Sequence, residues 1–147
     1  MILGIVGSRR RNSKEDYLSL CWKIAELEHE NNSLVEKIVT GDCDEGGDKF
    51  ARKIADETDG IELDVKYKRD PETGERVKPP INRCVKQQRY DYWTFTGICY
   101  ARNEEIAKEP LDYLIALVAF DRKGGTENTI RHFRRLHKDW KDKLVII

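Results

Sequence analysis

The stretch ALVAFDRKGGTENTIRHF, residues 116–133, joins an apolar run to a polar segment through two adjacent glycines. The apolar run stops at Asp121, and an amphipathic helix is predicted to start near Thr126. Glycine costs conformational entropy, so the pair Gly124-Gly125 indicates that the backbone bends sharply or that another group comes close to it. A strand, a glycine turn and a helix are therefore expected in this order.

The same alternation runs along the rest of the chain. Short apolar runs predict five strands, at 1–7, 33–41, 60–67, 112–120 and 142–147. Helical spacing of apolar residues predicts helices at 13–29, 46–58 and 126–140. Ser13 and Asp16 form a capping box at the start of the first helix. This pattern predicts an α/β fold, a Rossmann-like three-layer α/β/α sandwich with a mainly parallel five-stranded sheet.

The length of 147 residues fits one domain, and residues 1–147 are expected to form it. Residues 68–95 interrupt the alternation with prolines, charges and aromatic side chains, which predicts an insert or lid. Tyr90, Tyr92, Trp93 and Phe95 could stack on a ligand ring or anchor a subunit interface. A homodimer or higher oligomer is expected, and the choice between lid and interface stays open at this point.

Charge and cysteine spacing limit the class of protein. Lys+Arg and Asp+Glu are both 27, so nucleic acid is not an expected partner. The four cysteines form no CxxC pair and lie at no zinc-ligand spacing, so no metal site and no cofactor are expected. No apolar run approaches a membrane span and no signal-peptide pattern is present, so a cytoplasmic protein with no membrane partner is predicted.

Three glycine-bearing loops follow predicted strands, and these are GSRRRNS (7–13), GDCDEGGD (41–48) and DRKGGTEN (121–128). In an open parallel sheet, ligands bind beyond the carboxyl ends of the strands, where the connection direction reverses. Backbone amides at helix starts favour a phosphate or another anion, and Thr126 is the predicted N-cap of its helix. The candidate ligand-binding residues in these loops are Gly7, Ser8, Arg9, Gly41, Asp42, Glu45, Gly46, Gly124, Gly125 and Thr126.

Three segments carry a resemblance to a known family. They are GSRR after the first strand, TGDCDEGGDKFARKIADE after the second, and GICYARNEEIAKEPLDYLIALVAFDRKGGTENTI near the end. Together they resemble the SLOG superfamily, which includes the LOG phosphoribohydrolases, DNA-processing protein A and small YspA/YpsA-type domains. The last group is the most similar, through TGICYARNEEI at 96–106. The resemblance implies a Rossmann-like domain that binds nucleotides or nucleotide-derived ligands.

The resemblance also implies a catalytic pair, an Arg and a Glu, in the LOG enzymes. Arg102 matches the Arg, but Thr129 stands at the Glu position. The carboxylates that could replace the Glu are the nearby Glu127, and also Glu104, Asp42 and Glu45. Arg102 and Asn103 are predicted to open the helix before the fourth strand, Arg102 contacting an anion and Asn103 a base or ribose. The alternative for both is a structural hydrogen-bond network between two loops.

Three functions follow from these residues. The first is binding or sensing of a nucleotide or nucleotide-derived ligand at the carboxyl edge of the sheet. The alternative is hydrolysis or transfer at the N-glycosidic bond of nucleoside monophosphates, with Arg102 and Glu127 as catalytic residues. The third is a single-stranded DNA module. Whether the chain turns over its ligand stays open at this point.

Overall fold

The computed structural model describes residues 1–77 and 90–147. The strands of the described part are β1 (Ile2–Gly7), β2 (Lys37–Gly41), β3 (Glu62–Lys66), β4 (Tyr113–Leu117) and β5 (Leu144–Ile146). The helices are α1 (Lys14–Asn31), α2 (Gly47–Glu57), α3 (Tyr92–Lys108), α4 (Gly125–Leu136) and the short α5 (Trp140–Lys143). None of these helices is both long enough and apolar enough to cross a membrane.

The five strands form one parallel sheet in the order β3-β2-β1-β4-β5. Ile5 of the central strand β1 pairs with Thr40 on one side and with Ile115 on the other. The chain runs outward from β1 to β3 and then returns to β4 on the opposite side of β1. The connection direction therefore reverses between β1 and β4, and the predicted α/β sandwich is confirmed.

Helices cover both faces of the sheet. On one face, Leu3 and Ile5 of β1 lie in a cluster with Leu20 of α1 and Phe50 of α2. The cluster on the other face joins Ile106 of α3 to Ile130 and Phe133 of α4, against β1, β2 and β4. Burying each of these side chains stabilises the fold by roughly 1.5–3 kcal/mol relative to exposure. The two clusters hold the strand ends, and the loops that follow them, in fixed positions.

The prediction for the helix before the fourth strand is wrong at its start. This helix, α3, begins at Tyr92, because Asp91 accepts a hydrogen bond from the backbone N–H of Thr94 at 2.9 Å. Arg102 and Asn103 lie in its carboxyl-terminal half and do not open it. Residues 92–95 of the predicted insert belong to α3, and residues 78–89 lie outside the described part of the chain.

Two further boundaries of the carboxyl-terminal region differ from the prediction. The N-cap of α4 is Gly124 and not Thr126, which lies inside the first turn. The helix predicted for 126–140 ends at Leu136, where His137 takes an extended conformation, and Trp140 begins α5. Leu136 is 41% exposed, so the buried face that stabilises α4 ends one turn earlier, at Phe133.

Candidate functional site

A cleft of about 570 Å³ opens at the point where the connection direction reverses. Its walls come from the end of β1, the loops after β1 and β4, one face of α3 and the start of α4. Cys43, Asp48 and Lys68 close the side nearest β2 and β3. The cleft therefore lies where open parallel sheets bind their ligands.

The loop after β1 lines the cleft through Gly7, Ser8 and Arg9. The backbone N–H of Ser8 donates to the carbonyl of Leu117 at 2.9 Å, which ties this loop to the end of β4. Arg10 donates from both terminal nitrogens to Asp121, at 3.0 and 2.6 Å. These hydrogen bonds hold the pKa of Asp121 below its usual value. The first and third loops, predicted to converge, are in direct contact.

The start of α4 faces the cleft through Gly124, Gly125 and Thr126. Gly124 has φ 112° and ψ −164°, a conformation that favours glycine, and no side chain caps the helix there. The first amides of an α-helix have no intrahelical acceptor, and the helix dipole places about half a positive charge at this end. The amino terminus of α4 therefore offers N–H donors and a positive potential to the cleft.

Asn103 of α3 holds the start of α4 in place through hydrogen bonds. Its side chain is buried and donates from Nδ2 to the Gly125 carbonyl and to Oδ1 of Asn128, each at 3.2 Å. Thr129 donates its hydroxyl to the same carbonyl at 3.3 Å. Asn103 lines the cleft, and its amide nitrogen is engaged in these hydrogen bonds between α3 and α4.

The predicted residues of the second loop lie apart from the cleft lining. Gly41, Asp42, Glu45 and Gly46 are not among the residues that form its walls. A Cβ added at Gly46 would come within 2.3 Å of the Ser8 carbonyl oxygen, so Gly46 lets the first and second loops approach closely. Of this loop, Cys43 and Asp48 reach the cleft.

A cluster of four charged side chains lies on the side of the cleft nearest β2, and three of them, Asp48, Lys68 and Arg102, line the cleft. Asp42 pairs with Lys68 at 2.5 Å, and Nη1 of Arg102 lies 3.3 Å from Asp42 and 3.0 Å from Asp48. A Cβ at Gly41 would lie 1.6 Å from Arg102 Nη1, so the glycine leaves room for the guanidinium. Two carboxylates balance two cations, which makes burial of the cluster tolerable.

Arg102 also carries a buried donor that its ion pairs do not use. Its side chain is 11% exposed, and its buried Nε has no hydrogen-bond partner within residues 1–77 and 90–147. An unsatisfied buried donor costs roughly 1–3 kcal/mol, and a water or an anion usually accounts for one. Arg102 lines the cleft, so a bound anion is one means of satisfying it.

Glu127 and Thr129, the two residues compared with the family's catalytic Glu, differ in position. Glu127 receives two hydrogen bonds from Arg122 and is not among the residues lining the cleft. Thr129 lines the cleft, but its hydroxyl is bonded to the helix backbone. Asp48 is the carboxylate among the described lining residues, and Arg102 and the Cys43 amide both donate to it.

One face of α3 forms the long wall of the cleft. The residues on it recur every three or four positions and are Tyr92, Phe95, Thr96, Cys99, Asn103 and Ile106, with Tyr100 beside them. Tyr92 and Phe95 were candidate ligand contacts on sequence grounds, whereas Cys99 and Tyr100 were not. The helical spacing from 92 to 106 was the signal that could have found them.

The cleft also contains two free thiols. Arg9 lies with its Nε 3.2 Å from Cys43 Sγ. Burial raises the pKa of the Cys99 thiol, although the charges of Lys68 and Arg102 act in the opposite direction. Cys99 is therefore protonated and weakly nucleophilic at neutral pH. No group of three or more potential metal ligands occurs within the described ranges.

Comparison with known proteins adds nothing to this geometry, since no family model and no curated protein sequence matches the chain.

Proposed function

We propose that the chain binds or senses a nucleotide or nucleotide-derived ligand in the cleft between β1 and β4. The observation that carries this proposal is the start of α4, which faces the cleft without a side-chain cap. At such a helix end the free amides and the dipole favour an anion such as a phosphate group. The buried, unpartnered Nε of Arg102 at the same cleft is a second, independent observation that favours an anion.

The charges around the cleft favour the same ligand. In the described part of the chain, neither Arg9 nor Lys123 lies within salt-bridge distance of a carboxylate, whereas Arg10 is paired with Asp121. Both free cations line the cleft, and Lys123 directly precedes the uncapped end of α4. A volume of about 570 Å³ is within the range of small-molecule sites.

Cleavage of an N-glycosidic bond has less support from the same geometry. The reaction needs a carboxylate that stabilises positive charge at the sugar or activates water. Glu127 is engaged by Arg122 away from the cleft, and Asp48 is already paired with Arg102. Binding without turnover is therefore the function that we propose first.

Gly125→Ala tests the proposal at the end of α4. A Cβ there would meet only the Asn103 amide nitrogen at 3.6 Å, an ordinary contact, so the fold should tolerate the change. The added methyl group would stand where a phosphate approaches the helix amides. We expect calorimetric titration with ADP, AMP and inorganic phosphate to show affinities at least about tenfold weaker than wild type, one charge-assisted hydrogen bond being worth that much.

Gly97→Ala is the matched control, because it adds the same methyl group to an exposed position of α3 where a Cβ meets nothing within 4 Å. It should bind as the wild type does. The proposal is contradicted if the wild type binds none of the three compounds at millimolar concentration. Equal affinity of Gly125→Ala and wild type would remove the α4 terminus as the phosphate site.

A further inference from the structure

The cleft extends well beyond the proposed phosphate site at the amino terminus of α4. Asn103 marks that end, because its amide contacts the Gly125 carbonyl at 3.2 Å. Phe95 lies eight residues earlier on α3, which places it about 12 Å further along the helix axis at about 1.5 Å per residue. Tyr92 lies one turn beyond Phe95, and both residues line the same cleft.

The far end of the cleft is aromatic. Phe95 is half-buried in the wall and Tyr92 is 71% exposed, whereas Tyr100, 44% exposed, lines the cleft nearer to Asn103. Helical side chains tilt toward the amino terminus of their helix, which directs the rings of Phe95 and Tyr92 away from α4. Aromatic faces of this kind stack on nucleobases without hydrogen bonds to the base edge.

The middle of the cleft holds a cation. Arg9 contacts Cys43 at 3.2 Å on one wall, and it lines the same cleft as Cys99 on the α3 wall. Cys99 lies between Phe95 and Asn103 on α3. A guanidinium at this point suits a second phosphate, since it can donate two parallel hydrogen bonds to phosphate oxygens.

We infer that the ligand is a nucleoside diphosphate, free or esterified at its terminal phosphate, with its base stacked on Phe95 and Tyr92. This inference rests on the proposed function and names the ligand class for that site. The terminal phosphate lies at the amides of α4 and beside Lys123, and the inner phosphate lies beside Arg9. A single ribose and one phosphate are too short to join the aromatic end to the start of α4, whereas a diphosphate adds the missing length.

Calorimetry with four probes tests the inference, and the probes are ADP, AMP, ADP-ribose and inorganic pyrophosphate. ADP should bind at least about tenfold more tightly than AMP, because AMP reaches only one end of the cleft. Phe95→Ala should weaken the affinity for ADP by about tenfold, the usual loss for one stacking contact, and leave the affinity for pyrophosphate unchanged. ADP-ribose bound more tightly than ADP indicates an esterified ligand, and the reverse order indicates a free diphosphate.

Trp22→Ala is the control, because Trp22 is a similarly exposed aromatic side chain, 74% exposed, that lies on α1 and does not line the cleft. It should change no affinity. If Phe95→Ala melts at a lower temperature, the same test is made with Tyr92→Ala, whose side chain is exposed. We expect a loss of about fivefold or more in ADP affinity and none in pyrophosphate affinity. Equal affinities for AMP and ADP, or ADP binding unaffected by both aromatic variants, would overturn the inference and leave the proposed function standing. If none of the four probes binds, the proposed function is itself contradicted.

Discussion

The helices α2 and α4 begin with the same dipeptide, Gly-Gly, at the same edge of the sheet, yet the two pairs differ in their surroundings. Gly46 and Gly47 are buried, whereas Gly124 and Gly125 are exposed. A Cβ at Gly47 would lie 2.6 Å from the backbone nitrogen of Gly7, and a Cβ at Gly124 would meet nothing within 4 Å. The first pair lets two backbone segments touch, and the second leaves a helix end open.

The consequence of this difference is a division of roles along one sheet edge. The close approach of Gly47 to Gly7 fixes the loops after β1 and β2 against each other. The open end at Gly124 and Gly125 leaves amides facing the cleft. Neither helix has a side-chain cap, whereas α1 and α3 are capped by Ser13 and Asp91. Among α1 to α4, the two helices that begin at a Gly-Gly pair are the two without a side-chain cap.

Gly47→Ala should have the largest effect on stability, because the added methyl group would collide with backbone atoms that cannot rotate away. We expect a loss of about 3 kcal/mol or more in the free energy of unfolding, measured by urea denaturation. Gly97→Ala, with open space around its Cβ, should instead be neutral or slightly stabilising. Equal stability of the two variants would contradict the close contact between α2 and β1.

Gly124→Ala should have a smaller effect, which arises from backbone conformation and not from a collision. With φ 112° and ψ −164°, the position lies in a region that alanine rarely adopts, while the space around the Cβ is free. The expected loss is about 1–3 kcal/mol in the same urea experiment. A loss as large as that of Gly47→Ala would show that the end of α4 is packed and not open.

The sequence predicted much of this architecture because local patterns determine it. Apolar runs located all five strands, and Ser13 with Asp16 predicted the capping box that the structure confirms. The two Gly-Gly pairs looked alike because the difference between them lies in their neighbours. Only the folded chain shows that Gly7 approaches Gly47 while nothing approaches Gly124.

The charged cluster was harder to predict for the same reason. Lys68 and Asp42, which form an ion pair, are 26 positions apart in the sequence. Arg102 and Asp48, which are hydrogen-bonded, are 54 positions apart. No spacing rule connects such residues, so Lys68 was taken as part of an insert and Asp42 as a ligand contact. The start of α3 was missed although Asp91 is a standard N-cap residue, because the aromatic residues after it were assigned to a lid.

The smallest change in stability is expected for a substitution at the capped start of α1, which serves as the comparison for the uncapped start of α4. Asp16 accepts from the backbone N–H of Ser13 at 3.1 Å and pairs with Arg11 at 2.5 Å. Burial acts to raise the pKa of Asp16, but the hydrogen bonds from Arg11 and Ser13 outweigh it and hold the pKa below its usual value. Because the folded-state pKa is depressed, this contribution to stability is present above the unfolded pKa of about 4 and is lost as the pH falls through the folded value.

Asp16→Asn should therefore reduce the free energy of unfolding by about 1 kcal/mol or less at pH 7, since the pair is partly exposed. The difference from wild type should shrink as the pH falls below about 4, where the carboxylate takes up a proton. Glu15→Gln is the control, because it removes a charge from the same helical turn without touching the hydrogen bonds to Ser13. If urea unfolding shows the same pH dependence for both variants, the effect comes from the helix dipole alone. If the difference from wild type changes more with pH for Asp16→Asn than for the control, the stabilisation comes from the hydrogen bonds of Asp16 to Ser13 and Arg11. The start of α4 lacks such a side-chain cap.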